Sequence, residues 1–154
     1  SPGSATVVVD YAHTPDALER ALVTCRKHCQ GQLWSVFGCG GDRDTGKRPL
    51  MGRIASELSD CVVLTSDNPR SEPPQAILNE IRAGMTKPPM REEIDRSMAI
   101  RFAVENASSN DYILIAGKGH ESTQVIGQTI RPFSDRVEVA RLFGLMDQEV
   151  QHAS

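Results

Sequence analysis

Nowhere do the 154 residues contain a run approaching the roughly 20 continuous apolar side chains that cross a bilayer. The longest apolar stretches, Cys61 to Leu64 and Tyr112 to Ala116, are the length of a strand, so no membrane association is expected. An excess of basic charge is also missing. The 17 Lys and Arg are scattered among 20 Asp and Glu for a formal net charge of −3, which leaves no basic stripe to neutralise a phosphate backbone and makes nucleic acid an unexpected partner. Cysteine is sparse. Of the four, Cys25 and Cys29 flank His28 at helical i, i+4 spacing, but no second ligand pair with zinc-site spacing accompanies them, while Cys39 and Cys61 read as strand-end and core thiols. A secreted disulfide scaffold does not fit a chain of this length without a signal peptide, so the thiols read as reduced and the protein as cytoplasmic. Repeats and low-complexity segments are absent from the sequence. With 39% apolar and 24% charged residues, disorder, collagen and coiled coil are excluded in favour of one globular domain.

What is present is a strict alternation. Val7 to Asp10 is β-branched, and Thr14-Pro15-Asp16 then supplies a helix cap, a first-turn proline and an early acid. The helix that follows carries Leu18, Ala21, Leu22 and Cys25 at helical spacing and stops before Gly31. Strands are expected at Leu33 to Phe37, Cys61 to Thr65, Met90 to Ile94 and Tyr112 to Ala116. Helices are expected at Lys47 to Leu58, Pro74 to Ala83, Arg96 to Asn106 and from a Ser134 cap to about Met146. Gly127-Gln128 separates two short apolar pairs as in a small hairpin or edge. The expected fold is α/β: a Rossmann-like, mainly parallel sheet with helices on both faces and a small antiparallel edge. Residues 1–4 read as a cloning scar or linker, and 5–154 as the domain.

In such a sheet, ligands bind beyond the carboxyl ends of the strands. Four polar loops marked by glycine or proline follow predicted strands and should converge there: Asp10 to Asp16, Gly38 to Arg48, Asp67 to Arg70 and Gly117 to Glu121. Gly41 to Arg48 approaches a P-loop but ends in Arg48, which has no hydroxyl for magnesium, and Asp42 and Asp44 put anions where a phosphate cradle needs bare N–H groups. Either this is a solvated turn or its glycines let Arg43 project into the crevice as a carboxylate clamp. Asp67-Asn68-Pro69-Arg70 joins a carboxylate, an amide, a rigid turn and a forked cation, a set suited to an amino-acid zwitterion. In that set the Asp67 carboxylate and Asn68 oxygen take an ammonium and Arg70 takes a carboxylate. The alternative is an Asx turn with Asp67 and Arg70 paired to each other. Gly117 and Gly119 allow close backbone approach to a ligand, and Glu121 suits a second ammonium; His120 reads equally as a structural hydrogen-bonder or a catalyst and Lys118 as a snorkelling side chain or an acid–base group, and neither is taken as a site residue. Asp10, Tyr11 and His13 would suit a ring or ribose hydroxyl, or simply hydrogen-bond their own loop.

With these motifs in view, and adding Lys47-Arg48-Pro49 and Ser134-Asp135-Arg136, the chain from about Val7 to Leu145 resembles the C-terminal domain of the Mur ligases, most of all their diaminopimelate-adding branch. The resemblance implies an ATP-dependent, ADP-forming amide ligase of peptidoglycan synthesis. ATP, with Mg, would phosphorylate the D-glutamate carboxylate of UDP-N-acetylmuramoyl-L-Ala-D-Glu, and an amine of meso-diaminopimelate would attack the acyl phosphate. It further implies that Arg43, Asp67, Asn68, Arg70, Gly117 and Glu121 bind the amino acid, with Arg70 selecting for the carboxylate that lysine lacks. Asp10, Tyr11 and His13 would form a nucleotide-binding edge. No catalytic residue, metal ligand, complete P-loop or UDP-binding domain is expected in this chain, which would be monomeric, inactive alone, and completed by central ATP-binding and N-terminal UDP-binding domains. The rival readings are a lysine-adding or folylpolyglutamate-type ligase domain, and a non-catalytic amino-acid-binding module. A nicotinamide-binding domain is set aside because Tyr11-Ala12-His13 stands where its glycine turn belongs.

Overall fold

The structure, a computed structural model, describes residues 4–144. Five parallel strands form the sheet: β1 (Thr6–Asp10), β2 (Leu33–Phe37), β3 (Cys61–Leu64), β4 (Arg91–Glu92) and β5 (Tyr112–Ala116), in the spatial order β1-β5-β2-β3-β4. Helices α1 (Pro15–His28), α2 (Lys47–Leu58), α3 (Pro74–Ala83), α4 (Arg96–Asn106) and α5 (Asp135–Leu142) cover it. A period of two sorts the strand side chains. Leu33, Phe37, Val62, Leu64 and Leu114 pack under Leu18, Leu22, Met51, Ala55 and Leu78 of α1, α2 and α3. Trp34, Val36, Val63, Ile113 and Ile115 pack on the opposite face against Ala99, Ile100 and Ala103 of α4, with Val139 and Leu142 of α5. Burial on both faces is why the strands read as continuous apolar runs. The α/β expectation, helices on both faces included, is borne out.

The helix starts follow their caps. Thr14 Oγ1 accepts from Ala17 N at 3.2 Å and Ser134 Oγ from Val137 N at 3.3 Å. The strand expected over Met90 to Ile94 pairs regularly only at Arg91–Glu92, flanked by ladder-like bonds from Met90 N to Val62 O and from Glu93 N to Leu64 O. Helix α5 ends at Leu142, and the expected terminus near Met146 lies outside the described residues. The small antiparallel element forms as a separate two-stranded sheet, β6 (Thr123–Ile126) with β7 (Thr129–Pro132), joined through Gly127 at φ +60°. It turns away from the large sheet because Gly117 (φ +118°) and Gly119 (φ +53°) bend the chain as it leaves β5. The hairpin then meets the loop after β3 through a parallel bridge between Arg70 and Ile126.

All four cysteines are free thiols, and burial pushes Cys39 up to about 12. No helix among the described residues is long and apolar enough to cross a membrane.

Candidate functional site

The loops after β1, β2, β3 and β5 meet at the carboxyl edge of the sheet. They close on one another because glycines there carry no Cβ. Gly41 N donates to Asn68 O at 2.7 Å, and a Cβ on Gly41 would fall 1.8 Å from Pro69 O. Gly117 N donates to Asp10 O at 3.1 Å, drawing the β5 loop to the end of β1. Between them lies a cleft of about 390 Å³ lined by Tyr11, His13, Gly40, Arg43, Asp44, Lys47, Asp67, Asn68, Arg70, Gly117 and Glu121.

Eight of the nine expected site residues therefore share one cleft: Arg43, Asp67, Asn68, Arg70, Gly117, Glu121, Tyr11 and His13. The exception is Asp10, which borders two neighbouring depressions and accepts a bond from Ala12 N at 3.0 Å, closing its own loop. His13 Nδ1 likewise bonds Tyr11 O at 2.9 Å, so the local-hydrogen-bond reading holds for both polar groups. Tyr11 is 53% exposed, sits edge-on to His13, and forms the wall between the cleft and the adjoining depression of about 500 Å³.

The cationic wall is made of Arg43 and Arg70. Arg43 is exposed, with Nη1 donating to Asp42 O at 2.9 Å and its other donors free of partners among the described residues. Arg70 stands at φ +51°, a left-handed conformation held by two backbone bonds to the hairpin: Arg70 N to Val125 O, 3.0 Å, and Gly127 N to Arg70 O, 2.6 Å. Its Nη1 donates to Gly41 O at 2.9 Å, leaving Nη2 for a ligand. Arg70 does not pair with Asp67, so the self-paired alternative is not the one that forms.

On the opposite wall, Asp67 and Glu121 face the same space, but Asn68 does not present the oxygen expected of it. Asn68 Oδ1 accepts from Lys118 Nζ at 2.9 Å and from Val125 N at 3.0 Å, which fills both lone pairs. Lys118 is fully buried rather than snorkelling, with Nζ also 3.0 Å from Asp67 Oδ1 and 3.7 Å from Glu121 Oε1. Sequence reasoning missed it, since a lysine between two glycines gives no sign of the direction in which it points. Gln124 was missed too: buried, it donates from Nε2 to Asp67 O at 2.9 Å and so braces the loop from the hairpin.

Around the P-loop-like segment, Arg48 points inward. Its guanidinium grips Glu72 with both Nη atoms, at 3.0 and 2.7 Å, and donates to Gly40 O at 2.9 Å. Those bonds from Arg48 hold Glu72 down to about 2. Asp42, at φ +54°, accepts from Ser71 Oγ at 2.6 Å. Of the two anions that spoil a phosphate cradle, Asp42 thus ties the β2 loop to the β3 loop, while Asp44 Oδ1 accepts from Gly46 N at 2.9 Å within its own loop. Beneath the cleft, Arg96 and Asp135 form a bidentate pair with both side chains at 0% exposure, and Arg96 also donates to Ser66 O at 2.9 Å and Ala116 O at 3.1 Å, where the β3 and β5 ends emerge.

A parallel sheet covered by helices on both faces, with a polar cleft of both charge signs at its carboxyl edge, places this chain in the doubly covered α/β class, in which that edge is the usual ligand position. The family model described as "Mur ligase, glutamate ligase domain" matches residues 1–119, and the chain belongs to the Mur ligase family. It is 56% identical over 139 residues to the UDP-N-acetylmuramoyl-L-alanyl-D-glutamate--2,6-diaminopimelate ligase of Haemophilus influenzae (strain PittGG), covering 88% of this chain and 28% of that protein. A solved structure of a ligase of the same name is 48% identical, with a TM-score of 0.83 over 95% of this chain and 29% of that one. The fold extends to a bifunctional folylpolyglutamate synthase/dihydrofolate synthase from Yersinia pestis, solved with AMPPNP and a Mn ion, at 22% identity and a TM-score of 0.56 over 72% of this chain and 25% of that one. The chain spans just over a quarter of the length of the curated relative, 28%.

Proposed function

We propose that this chain is the amino-acid-receiving domain of an ADP-forming amide ligase that adds meso-diaminopimelate to UDP-N-acetylmuramoyl-L-alanyl-D-glutamate. The observation that carries this reading is the charge layout of the cleft: two guanidinium groups with free donors, Arg43 and Arg70, opposite the carboxylates of Asp67 and Glu121. A diamino dicarboxylic acid has that pattern. Arg70 with Asn68 Nδ2 receives the distal carboxylate, and Asp67 Oδ2 with Glu121 receives the neighbouring ammonium. The other amine stays free to attack the acyl phosphate of the glutamate, forming the C–N bond and expelling phosphate, after ATP has transferred its γ-phosphoryl group and become ADP. Lysine has no distal carboxylate, so with lysine bound the Arg70 fork would stay desolvated and unpaired, which disfavours it.

In this reading residues 5–154 form the domain behind a linker at 1–4, and separate domains bind the UDP-dipeptide and most of the ATP. Tyr11 and His13, at the rim, meet the nucleotide on closure, and closure also excludes water from the acyl phosphate. Magnesium belongs with the ATP. Among the described residues no group of three or more His, Cys, Asp or Glu assembles a site for it, and Asp42 and Glu72 are already bound within the loops, so the described residues do not fit the ion.

A backbone NMR titration of this chain with meso-diaminopimelate and with L-lysine tests the reading. Shifts confined to Arg43, residues 67–70 and residues 117–121, larger for diaminopimelate, are expected. Equal responses refute selection by Arg70, and no response to either ligand refutes the site.

A further inference from the structure

The ammonium of Lys118 lies under the cleft at 0% exposure, and its contacts are all with groups that carry negative charge or lone pairs. Nζ donates to Asn68 Oδ1 at 2.9 Å and to Thr123 O at 3.0 Å, and lies 3.0 Å from Asp67 Oδ1. Two of its three N–H donors are thus satisfied by hydrogen bonds, and Asp67 Oδ1, buried and without a hydrogen-bond partner among the described residues, stands beside it as the counter-charge. Asn68 Oδ1 has a second partner, the backbone N–H of Val125 at 3.0 Å. Neither an ammonium nor a peptide N–H can accept a hydrogen bond, so the atom between them has to be the amide oxygen. The Nδ2 group is therefore the end left over for the cleft, and it has no partner among the described residues. Asp67 is oriented in the same way: Oδ1 faces Lys118, while Oδ2 lies beside Gly117, where an added Cβ would stand 3.2 Å from it.

We propose that Lys118 is the positioning residue of this site: its buried ammonium turns Asn68 so that the amide offers N–H donors to a ligand carboxylate beside Arg70, and holds Asp67 so that only Oδ2 is left for a ligand ammonium. This rests on the amino-acid-binding reading and extends it to polarity. Asn68 then serves the anionic end of the ligand, the reverse of the role its type and place suggest. Without the ammonium the amide is free to turn its oxygen into the cleft, where it repels a carboxylate. Both kinds of ligand lose whatever the hold on Asp67 contributes, but only one with a distal carboxylate also loses the Asn68 donors, so the ratio of the two affinities falls. A merely structural lysine would weaken both ligands alike.

The test uses this chain with meso-diaminopimelate and L-lysine as probes, and two variants. In Lys118→Met the affinity ratio of diaminopimelate to lysine is expected to fall at least about tenfold, the worth of one charge-assisted hydrogen bond. The Asn68 side-chain amide signals of the ligand-free chain are expected to move. Because this variant strands a buried carboxylate and can unfold, Asn68→Asp is the companion: it is isosteric, keeps an acceptor for Lys118 and Val125, and puts an oxygen where Nδ2 was. It should fold and show the same fall in ratio. An unchanged ratio in folded Lys118→Met, or in Asn68→Asp, overturns the proposal. If wild-type chain ignores diaminopimelate, the binding reading fails, while the ligand-free Asn68 signals still decide the orientation: identical signals in wild type and folded Lys118→Met overturn it.

Discussion

Replacing Asp135 with Ala should destabilise the domain by about 3–5 kcal/mol, the usual cost of removing one partner of a buried ion pair. The structure supplies the same figure independently. Asp135 accepts two bonds from Arg96, Nε to Oδ1 and Nη2 to Oδ2, both 2.7 Å, with neither side chain exposed. Two charge-assisted bonds at roughly 1.5–3 kcal/mol each give a loss of that size. What remains is a guanidinium held only by the carbonyls of Ser66 and Ala116, with no counter-charge. Burial pushes the pKa of Arg96 down, and in the intact pair its bonds to Asp135 outweigh that and hold it above the ordinary value; with Asp135 gone that support is lost, but a guanidinium does not deprotonate in a protein, so the stranded group keeps its charge. For a domain of this size the loss corresponds to a fall in Tm of about 10 °C. Urea unfolding followed by the fluorescence of Trp34, the one tryptophan and 2% exposed, measures it directly. The double variant Arg96→Met with Asp135→Leu should lose less than the two single losses combined, because it removes the stranded charge. A loss below about 1 kcal/mol in Asp135→Ala, or strict additivity in the double variant, would refute the reasoning.

Two further outcomes are expected. Gly41→Ala places a Cβ 1.8 Å from Pro69 O, forcing the β2 loop away from the β3 loop that carries Asn68 and Arg70; thermal denaturation should show a loss of roughly 1–3 kcal/mol and titration a weaker response to diaminopimelate. The Glu72 carboxyl, held at about 2 by its bonds from Arg48, sits below its unfolded value, so its contribution is complete above the unfolded pKa and is lost as pH falls through about 2. The stability difference between wild type and Glu72→Gln should therefore shrink between about pH 5 and pH 2 in denaturant titrations, and a constant difference across that window would count against the Arg48 staple.

The local features were legible because they depend on local chemistry. Thr14 and Ser134 cap helices whatever surrounds them, the β-branched runs can only be strands, and glycine and proline mark the loops. From the alternation of strand and helix follows a parallel sheet, and from that sheet the convergence of Arg43, Asp67, Asn68, Arg70, Gly117 and Glu121 on one edge. The sequence by itself thus determined the fold class and which residues meet. It could not determine what each polar group has left to give a ligand, since that depends on partners distant along the chain. Lys118 consumes the oxygen of Asn68 from fifty residues away, Arg48 consumes Glu72, and Asp10 is spent on its own loop. Only the tertiary structure decides which hydrogen-bonding capacity is satisfied within the protein and which faces the cleft, because a buried donor or acceptor takes whatever partner the packing brings, regardless of its place in the sequence.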